Sequence, residues 1–259
     1  MEVTDYTKAP GHWILAKMGK KVLRPGGKEL TLKMISALDI SPKDDIVEFA
    51  PGIGYTAGLT LNKHPHTYIG VDADNEVVER LTKKMSKNGS ISFVENKAEE
   101  TSFTDASKDK VYGEAMLTMH ADQRKERIIK EAHRILKKGG LYAIHEMGLA
   151  PDTLSEEIKA EIQRDLALCI KVNARPLTVQ EWKEILEKEG FKVTKVETSP
   201  MHLLKWKRLV DDEGLGGALK IAGNIITHRG ARKRILEMRC VFKKHEQHLN
   251  SVMMIAEKQ

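Results

Sequence analysis

The sequence is poor in cysteine, in aromatic residues and in long apolar runs. It has two cysteines among 259 residues, Cys169 and Cys240, and their spacing matches neither a metal site nor a disulfide framework. We therefore interpret both as structural thiols. No run approaches the roughly 20 apolar residues that span a bilayer, and the first residues lack the apolar core of a signal peptide. From these absences we expect an intracellular, cytoplasmic protein.

Positive charge is concentrated in one part of the chain. The net charge is +6, and residues 201–245 hold eleven Lys or Arg against four Asp or Glu. Three interpretations of this basic segment stay open: a solvated helical surface, a surface for an anionic small molecule or a membrane, and an RNA-binding surface. RNA is the least favoured partner, because Trp206 and Phe242 are the only aromatic residues in the segment.

Strand-like and helix-like segments alternate between residues 46 and 147. Strands are predicted at 46–49, 67–72, 90–96, 111–119 and 141–147, with helical segments between most of them. This alternation predicts a parallel sheet with helices on both faces. Two further strands are predicted at 191–198 and 251–258, and helices at 11–23, 28–39, 154–173 and 178–190. In the basic segment, apolar residues recur at helical spacing at Leu215, Leu219, Ala222 and Ile226.

The stretch IVEFAPGIGYT, residues 46–56, combines a buried strand with a loop of small residues. Such residues allow a backbone to approach a ligand closely. Gly52, Gly54 and Ala57 also fit the dinucleotide fingerprint, and Asp72 follows the next strand, so a nicotinamide-dependent dehydrogenase is one alternative. Glu48 opposes that alternative, because a carboxylate near the loop favours a neutral or cationic ligand over a pyrophosphate.

Four motifs together resemble those of class I S-adenosylmethionine-dependent methyltransferases. They are EFAPGIG at 48–54, GVDAD at 70–74, ENKAEE at 95–100 and RILKKGGLYAIHE at 134–146, in the order and spacing of that family. The resemblance implies a Rossmann-like α/β fold, with a mostly parallel sheet of seven strands, an antiparallel last strand and helices on both faces. It also implies S-adenosyl-L-methionine as methyl donor and S-adenosyl-L-homocysteine as product.

The resemblance assigns ten residues to the cofactor site: Glu48, Ala50, Gly52, Gly54, Asp72, Ala73, Lys97, Ala98, Leu117 and Thr118. The first four would surround the methionine part, together with Leu117 and Thr118 beneath it. Asp72 would accept hydrogen bonds from the ribose hydroxyls, and the Ala98 backbone would bind adenine. Lys97 departs from the family pattern, because many relatives carry an acid there and a lysine cannot accept a hydrogen bond.

Three polar residues near the carboxyl ends of predicted strands are candidates for proton transfer: His120, His145 and Glu146. His145 and Glu146 are adjacent on a strand, so at most one of them points into the site. His202, in the basic segment, is a weaker candidate. No spacing of metal ligands is present, and we assign no metal site.

We expect a single methyltransferase domain over residues 1–259. Residues 1–40 would form a helical lid, 41–150 the cofactor-binding core, and 151–177 and 200–246 helical cap insertions that select the acceptor. The candidates for an adaptable apolar acceptor wall are Met119, Met147, Met201, Trp206 and Met238. The expected activity is methyl transfer to a small, partly apolar molecule; RNA methylation and a non-catalytic cofactor-binding protein are the alternatives.

Overall fold

The computed structural model describes residues 5–86, 89–202 and 204–259, which form one sheet flanked by helices. Two helices, α1 (Gly11–Lys17) and α2 (Gly27–Leu38), precede the sheet. The alternating part comprises β1 (Asp45–Phe49), α3 (Tyr55–Leu61), β2 (Thr67–Asp72), α4 (Asn75–Met85), β3 (Ile91–Glu95), β4 (Lys108–Glu114), α5 (Asp122–Ile135) and β5 (Leu136–Leu149). After it come α6 (Glu156–Ile170), β6 (Leu177–Thr178), α7 (Val179–Lys188), β7 (Phe191–Pro200), α8 (Trp206–Thr227), α9 (Arg229–Lys244) and β8 (Leu249–Lys258).

The strands follow the order β3-β2-β1-β4-β5-β8-β7 across the sheet. Strands β1 to β5 run parallel, whereas β8 lies antiparallel between β5 and β7. This arrangement confirms the fold class predicted from the sequence; the two-residue strand β6, which pairs with the end of β5, was not predicted. The strand order reverses between β1 and β4, and ligands bind at the carboxyl ends of strands at such a reversal.

Helices cover both faces of the central strands, and the side chains of each strand alternate between the two faces. In β1, Val47 and Phe49 pack into an apolar cluster that includes residues of α5 and α7, whereas Ile46 packs into a cluster with α2 and α4 on the other face. Helix α7 begins with a capping box, in which Thr178 and Glu181 each accept a backbone N–H of the other. The alternation of apolar residues along β1 and the capping residues of α7 thus match the burial and the helix start seen in the structure.

Two of the boundaries that differ from the prediction affect the crevice at the carboxyl ends of β1 and β4. Helix α1 ends at Lys17 instead of residue 23, because Gly19 has φ +104° and leaves the helical conformation. Strand β4 ends at Glu114 instead of residue 119, and Leu117–Met119 forms a short 3₁₀ turn. Ala115, at φ +53°, ends the strand. The chain after β4 therefore turns beside the crevice.

A third apolar cluster joins α1, α6, α8 and α9 to the ends of β5 and β8. It includes Ile14 of α1, Ile221 of α8 and Met238 of α9, all of them buried. The helices of the two predicted cap regions thus pack together with the N-terminal helix.

The two cysteines are both free thiols, Cys169 buried and Cys240 exposed. In the part of the chain that the structure describes, no helix has both the length and the apolar character needed to cross a membrane.

Candidate active site

A cavity of about 300 Å³ opens at the carboxyl ends of β1, β2 and β4. Its walls come from the loop after β1, the ends of β2 and β3, the turn after β4 and the N-terminal segment. Its lining includes His12, Arg24, Ala50, Gly52, Asp72, Ala73, Ala98, Glu99, Glu114 and His120. Six of these, Ala50, Gly52, Asp72, Ala73, Ala98 and His120, were predicted as site residues from the sequence.

The loop after β1 presents its backbone to the cavity because it contains left-handed residues. Ala50, Gly52 and Gly54 have φ values of +53°, +55° and +78°, and the Ala50 N–H donates to the Val71 carbonyl at 2.8 Å. A Cβ atom on Gly52 would meet only the Ala50 carbonyl oxygen, 3.9 Å away. A Cβ atom on Gly54 would lie 2.6 Å from Leu81, so this glycine permits packing of α3 against α4. Gly52 borders the cavity, whereas Gly54 does not.

Asp72, the last residue of β2, faces the cavity. Its Oδ1 accepts a hydrogen bond from the Asp74 N–H at 3.0 Å. Burial raises the pKa of Asp72, and the backbone N–H groups of Asp74, Gly52 and Ala73 oppose that rise. Each carboxylate oxygen accepts more than one hydrogen bond, so the two oxygens can also accept from a pair of neighbouring ligand hydroxyls.

The segment after β3 places Lys97 outside the cavity. Ala98 and Glu99 line the cavity, whereas Lys97 is exposed and borders a separate surface depression. A tight turn, closed by the Glu100 N–H donating to the Lys97 carbonyl at 3.2 Å, causes this difference from the prediction. Glu99 was not singled out from the sequence. Burial would raise its pKa, but hydrogen bonds from its own N–H and from Arg124 lower it, so its carboxylate is an available acceptor.

Glu48 does not reach the cavity, in contrast to its expected position beside the methionine part of the cofactor. The residue is 3% exposed, and its Oε2 accepts from the Tyr68 hydroxyl at 2.5 Å and the Tyr112 hydroxyl at 2.7 Å. Alternation along β1 turns Glu48 and Ile46 toward the same face of the sheet, beneath the loop. Burial raises the pKa of Glu48 to about 7, although the two hydroxyl donors oppose the shift.

The raised pKa of Glu48 predicts that stability falls as the pH rises. The unfolded carboxyl group has an ordinary pKa of about 4.3, so the folded protein holds an extra proton from there up to about pH 7 and loses stability across that window. We expect Glu48→Gln to raise the free energy of unfolding at pH 8 by about 1–3 kcal/mol and to change it little at pH 4. Urea denaturation at both pH values measures this, with exposed Glu95→Gln as control. An equal change at both pH values would contradict the assignment.

Glu114, the last residue of β4, does line the cavity, unlike Glu48. Four side chains surround its carboxylate: the Thr31 hydroxyl at 2.6 Å, His145 Nδ1 at 2.7 Å, Arg24 Nε at 3.2 Å and the Thr56 hydroxyl. Burial alone would raise the pKa of Glu114, but Arg24 and His145 outweigh burial and lower it to about 2. Glu114 is therefore ionised, and it connects β4 to α2, α3, β5 and the N-terminal segment.

Arg24 brings a donor without a partner to the cavity wall. The residue is 8% exposed, and its guanidinium carbon lies 5.3 Å from the centre of the Tyr55 ring. Its Nη1 is buried and has no hydrogen-bond partner among the described residues. A buried guanidinium N–H without a partner costs free energy, and a ligand carboxylate in this cavity would supply that partner. Neither Arg24 nor Glu114 was identified from the sequence.

Two acids of α8 hold the N-terminal segment beside the cavity. Asp212 lies 3.0 Å from Lys20 Nζ and accepts the Lys28 backbone N–H at 2.8 Å. Glu213 accepts the Lys21 backbone N–H at 2.7 Å. These contacts join residues almost 200 positions apart in the chain. The basic segment, residues 201–245, therefore contributes to the site through two of its four acidic residues, which fix the position of the N-terminal segment.

The two histidines predicted for proton transfer occupy different environments. His120 lines the cavity, where burial, with a contribution from Arg124, lowers its pKa to about 4, so the ring is neutral at pH 7. His145 is fully buried and its Nδ1 lies 2.7 Å from Glu114. His145 does not line the cavity. His145 therefore lies behind Glu114 in the cavity wall, where it can position Glu114 but cannot contact a ligand in the cavity.

Glu146 is also fully buried, on the opposite face of β5 from His145. It accepts hydrogen bonds from the backbone N–H groups of residues 116–118 at 2.8–3.0 Å and from the Thr118 hydroxyl at 2.6 Å. All of these donors belong to the turn after β4, so Glu146 shapes the turn that carries His120. In that turn, Leu117 is buried in the apolar core and does not line the cavity.

A second cavity of about 50 Å³ adjoins the first and is largely apolar. Its lining contains four of the five residues predicted for an acceptor wall: Met119, Met147, Met201 and Met238. The fifth, Trp206, is 50% exposed on α8 and lies outside it. Thr118, predicted at the cofactor site, lines this second cavity instead. The residues common to both cavities are His12, Leu23, Ala115 and Met119.

His12, in the first turn of α1, lies where the two cavities meet. Burial lowers its pKa to about 4, so the imidazole is neutral at pH 7 and one ring nitrogen can accept a proton. The sequence analysis did not identify His12, although it predicted that the N-terminal helix would cover the site. His202, the weaker candidate, lines neither cavity and lies 3.7 Å from Glu246.

Comparisons with known proteins point to one enzyme class. Residues 46–140 match the family profile described as a methyltransferase domain. An uncharacterized protein of Haemophilus influenzae is 32% identical over 252 residues, which are 96% of this chain and 98% of that protein. A phosphoethanolamine N-methyltransferase of Plasmodium falciparum is 23% identical over 67% of this chain and 63% of its own length.

The fold is shared with a solved methyltransferase. Haemonchus contortus phosphoethanolamine N-methyltransferase 2, in complex with phosphomonomethylethanolamine and S-adenosylhomocysteine, has a TM-score of 0.70 and 18% identity. The match covers 96% of this chain and 57% of that one. The chain thus spans less than two thirds of the length of both phosphoethanolamine N-methyltransferases.

Proposed function

The chain belongs to the class I S-adenosylmethionine-dependent methyltransferases, and from this premise we propose that it methylates a small, partly apolar molecule held in the methionine-lined cavity. The observation that carries the proposal is that this cavity adjoins the one at the carboxyl ends of β1, β2 and β4. A cavity with charged lining residues beside a largely apolar one suits a nucleoside-containing donor and an acceptor with apolar surface.

The residues of the first cavity fit the methyl donor. S-adenosylmethionine carries the methyl group on a sulfonium sulfur. The acceptor forms a bond to the methyl carbon as the bond from that carbon to sulfur breaks, which leaves S-adenosylhomocysteine. Asp72 would accept from the ribose hydroxyls, the open side of Gly52 admits a close backbone approach, and Arg24 Nη1 would bind the amino-acid carboxylate. Ala98 and Glu99 would face adenine. Such positioning contributes about 7–11 kcal/mol in favourable cases.

We assign proton acceptance to His12 rather than to His120, because His12 borders both cavities. His120 borders only the first cavity, and its neighbours Glu99 and Arg124 belong to the side that would hold adenine. A neutral His12 would take the proton from an acceptor hydroxyl or thiol as the methyl group is transferred. From an ammonium acceptor it would take the proton before transfer, because the nitrogen needs a free lone pair to attack the methyl carbon. His120 would then contact the donor.

The lining of the second cavity favours an acceptor without a phosphate group. Phosphate recognition relies on Arg, Lys or several N–H donors, and the second cavity, over the described residues, has neither Arg nor Lys in its lining. Methionines provide adaptable apolar walls instead. We therefore expect phosphoethanolamine, the substrate named for two of the relatives, to be a poor acceptor here.

Arg24 gives a prediction that separates the amino-acid part of the donor from its nucleoside part. Arg24→Leu should weaken binding of S-adenosylhomocysteine by about 10-fold or more, since a hydrogen bond to a charged group contributes about 1.5–3 kcal/mol. Methylthioadenosine, which lacks the carboxylate, should bind wild type and variant with similar affinity, and this ligand also reports whether the site is folded. Calorimetric titration measures both; equal losses for the two ligands would contradict the role of Arg24.

The experiment that tests the proposed function is transfer of labelled methyl from S-adenosylmethionine to a fractionated metabolite extract. We expect label in a small, organic-soluble product and none in added phosphoethanolamine. Label in RNA, or calorimetric binding of the donor without transfer to any fraction, would overturn the proposal in favour of RNA methylation or of a non-catalytic protein.

A further inference from the structure

The outer face of α8 carries an apolar stripe that the described residues leave exposed. Leu215, Leu219 and Ile226 are 62%, 58% and 65% exposed. At about 100° per residue, their spacing places them within roughly 40° of one another around the helix. Leu236 of the next helix, α9, is 56% exposed. Aligned exposed aliphatic residues are typical of surfaces that contact a partner or a membrane, whereas scattered ones are not informative.

The outer face of α9 carries cations beside this stripe. Five of its exposed basic residues are Arg229, Arg232, Lys233, Arg239 and Lys243. Within the described ranges, the ion pairs of α9 are made by Arg234 and Lys244 instead. Among the described residues, these five cations make no ion pair, and they lie on one side of the helix, around Leu236.

The two outer faces point away from the protein together. Ile221 of α8 and Ala231, Ile235 and Met238 of α9 are buried in the same apolar cluster. Because both helices turn their inner faces to one cluster, their outer faces form one surface, which we call the α8–α9 face. It combines the apolar residues of α8 and Leu236 with the cations of α9.

We propose that the α8–α9 face binds the surface of a membrane that contains anionic phospholipids. Aliphatic side chains enter the headgroup region of such a membrane, while Lys and Arg contact lipid phosphates. A second copy of the chain does not fit, since two strongly cationic faces repel each other. RNA accounts for the cations but leaves the exposed leucines and isoleucine without a role, because single-stranded RNA binds by stacking on aromatic residues.

The inner face of α9 connects this surface to the second cavity. Met238 and Phe242 line that cavity from the same helix whose outer face carries the cations. A molecule that partitions into the membrane would thus be concentrated next to the helix that forms the cavity wall. The acceptor is accordingly an amphipathic, lipid-phase molecule; this second step rests on the proposed function, whereas membrane binding does not.

Vesicle flotation tests the membrane-binding step directly. The full chain should float with phosphatidylglycerol vesicles at low salt and should not float with phosphatidylcholine vesicles. We expect Leu219→Glu/Ile226→Glu and Lys233→Glu/Arg239→Glu each to lower the affinity for phosphatidylglycerol vesicles by about tenfold or more. Failure of the wild-type protein to float with anionic vesicles would overturn the proposal.

Two matched controls separate the α8–α9 face from general effects. Leu168→Glu changes a leucine of α6 that is 63% exposed, and Lys63→Glu/Lys138→Glu changes the net charge as much as the cationic double variant does. Both controls should float like wild type. Equal losses in the controls, or RNA binding that only the cationic double variant loses, would refute the membrane surface. Calorimetric binding of S-adenosylmethionine by the variants shows separately whether the donor site is intact.

Discussion

Replacing His12 with alanine is expected to lower the rate of methyl transfer by about 10²–10⁴-fold, the usual contribution of a positioned proton acceptor. The ring borders both cavities, and burial lowers its pKa to about 4, so it is neutral and able to accept a proton at pH 7. Affinity for S-adenosylmethionine should change little, because other residues hold the donor. The measurements are the transfer rate with the acceptor found by labelling and calorimetric titration of the donor.

His120 is the matched control for this prediction. It lines the first cavity, and burial also lowers its pKa to about 4. Its alanine variant should keep the transfer rate within about tenfold of wild type, as expected of a residue that contacts only the donor. If His120→Ala loses the rate and His12→Ala keeps it, the proton acceptor is the residue predicted from the sequence. If neither variant loses it, acceptor deprotonation does not limit the reaction.

The parts of the site that lie within one strand and its following loop were predictable from the sequence. Asp72 ends β2, and Ala50 and Gly52 follow β1, as the pattern of apolar runs and small residues indicated. In a parallel sheet the carboxyl ends of neighbouring strands lie at one edge, so residues at these positions meet even though they are distant in the chain.

The sequence did not reveal which of two acids on central strands, Glu48 or Glu114, reaches the cavity. Glu48 and Glu114 both lie on buried strands, but Glu48 precedes the end of β1 and turns into the core, whereas Glu114 ends β4 and reaches the cavity. The predicted strand at 111–119 hid this difference, because it placed Glu114 in mid-strand. The true end is set by Ala115 and by the hydrogen bonds of Glu146 to the next turn. Such contacts across the sheet leave no local signal.

Long-range contacts also explain why His12 and Arg24 were not identified. Both reach the cavity because Asp212 and Glu213 fix the intervening segment, and no local pattern links residues so far apart. The apolar spacing of α8 was recognised, but periodicity does not indicate whether a stripe faces a core or solvent. In the folded protein, Leu215 and Leu219 face outward. The helical spacing in the sequence thus identified the apolar stripe of α8, but only the tertiary structure shows that the stripe faces solvent.

Replacing Asp72 with asparagine is expected to weaken binding of S-adenosylmethionine by about 100-fold or more. Two ribose hydroxyls would donate to the carboxylate, and a hydrogen bond to a charged group contributes about 1.5–3 kcal/mol. Asparagine offers a single oxygen and no charge, so it cannot replace both bonds. It can still accept the Asp74 N–H that Asp72 Oδ1 binds at 3.0 Å, so the fold should be preserved. Calorimetric titration with S-adenosylmethionine and with S-adenosylhomocysteine measures the loss.

Glu95 provides the control for Asp72, because it is its register partner on β3 and is exposed outside the first cavity. Glu95→Gln removes a charge of the same sign from the neighbouring strand end, so it reports any general electrostatic effect on the donor. Unchanged binding by Glu95→Gln, with the loss confined to Asp72→Asn, requires direct contact between Asp72 and the ligand. Similar affinities of Asp72→Asn and wild type would instead show that the ribose binds elsewhere in the cavity. The assignment of Ala98 and Glu99 to adenine would then also be wrong, because it depends on the position of the ribose.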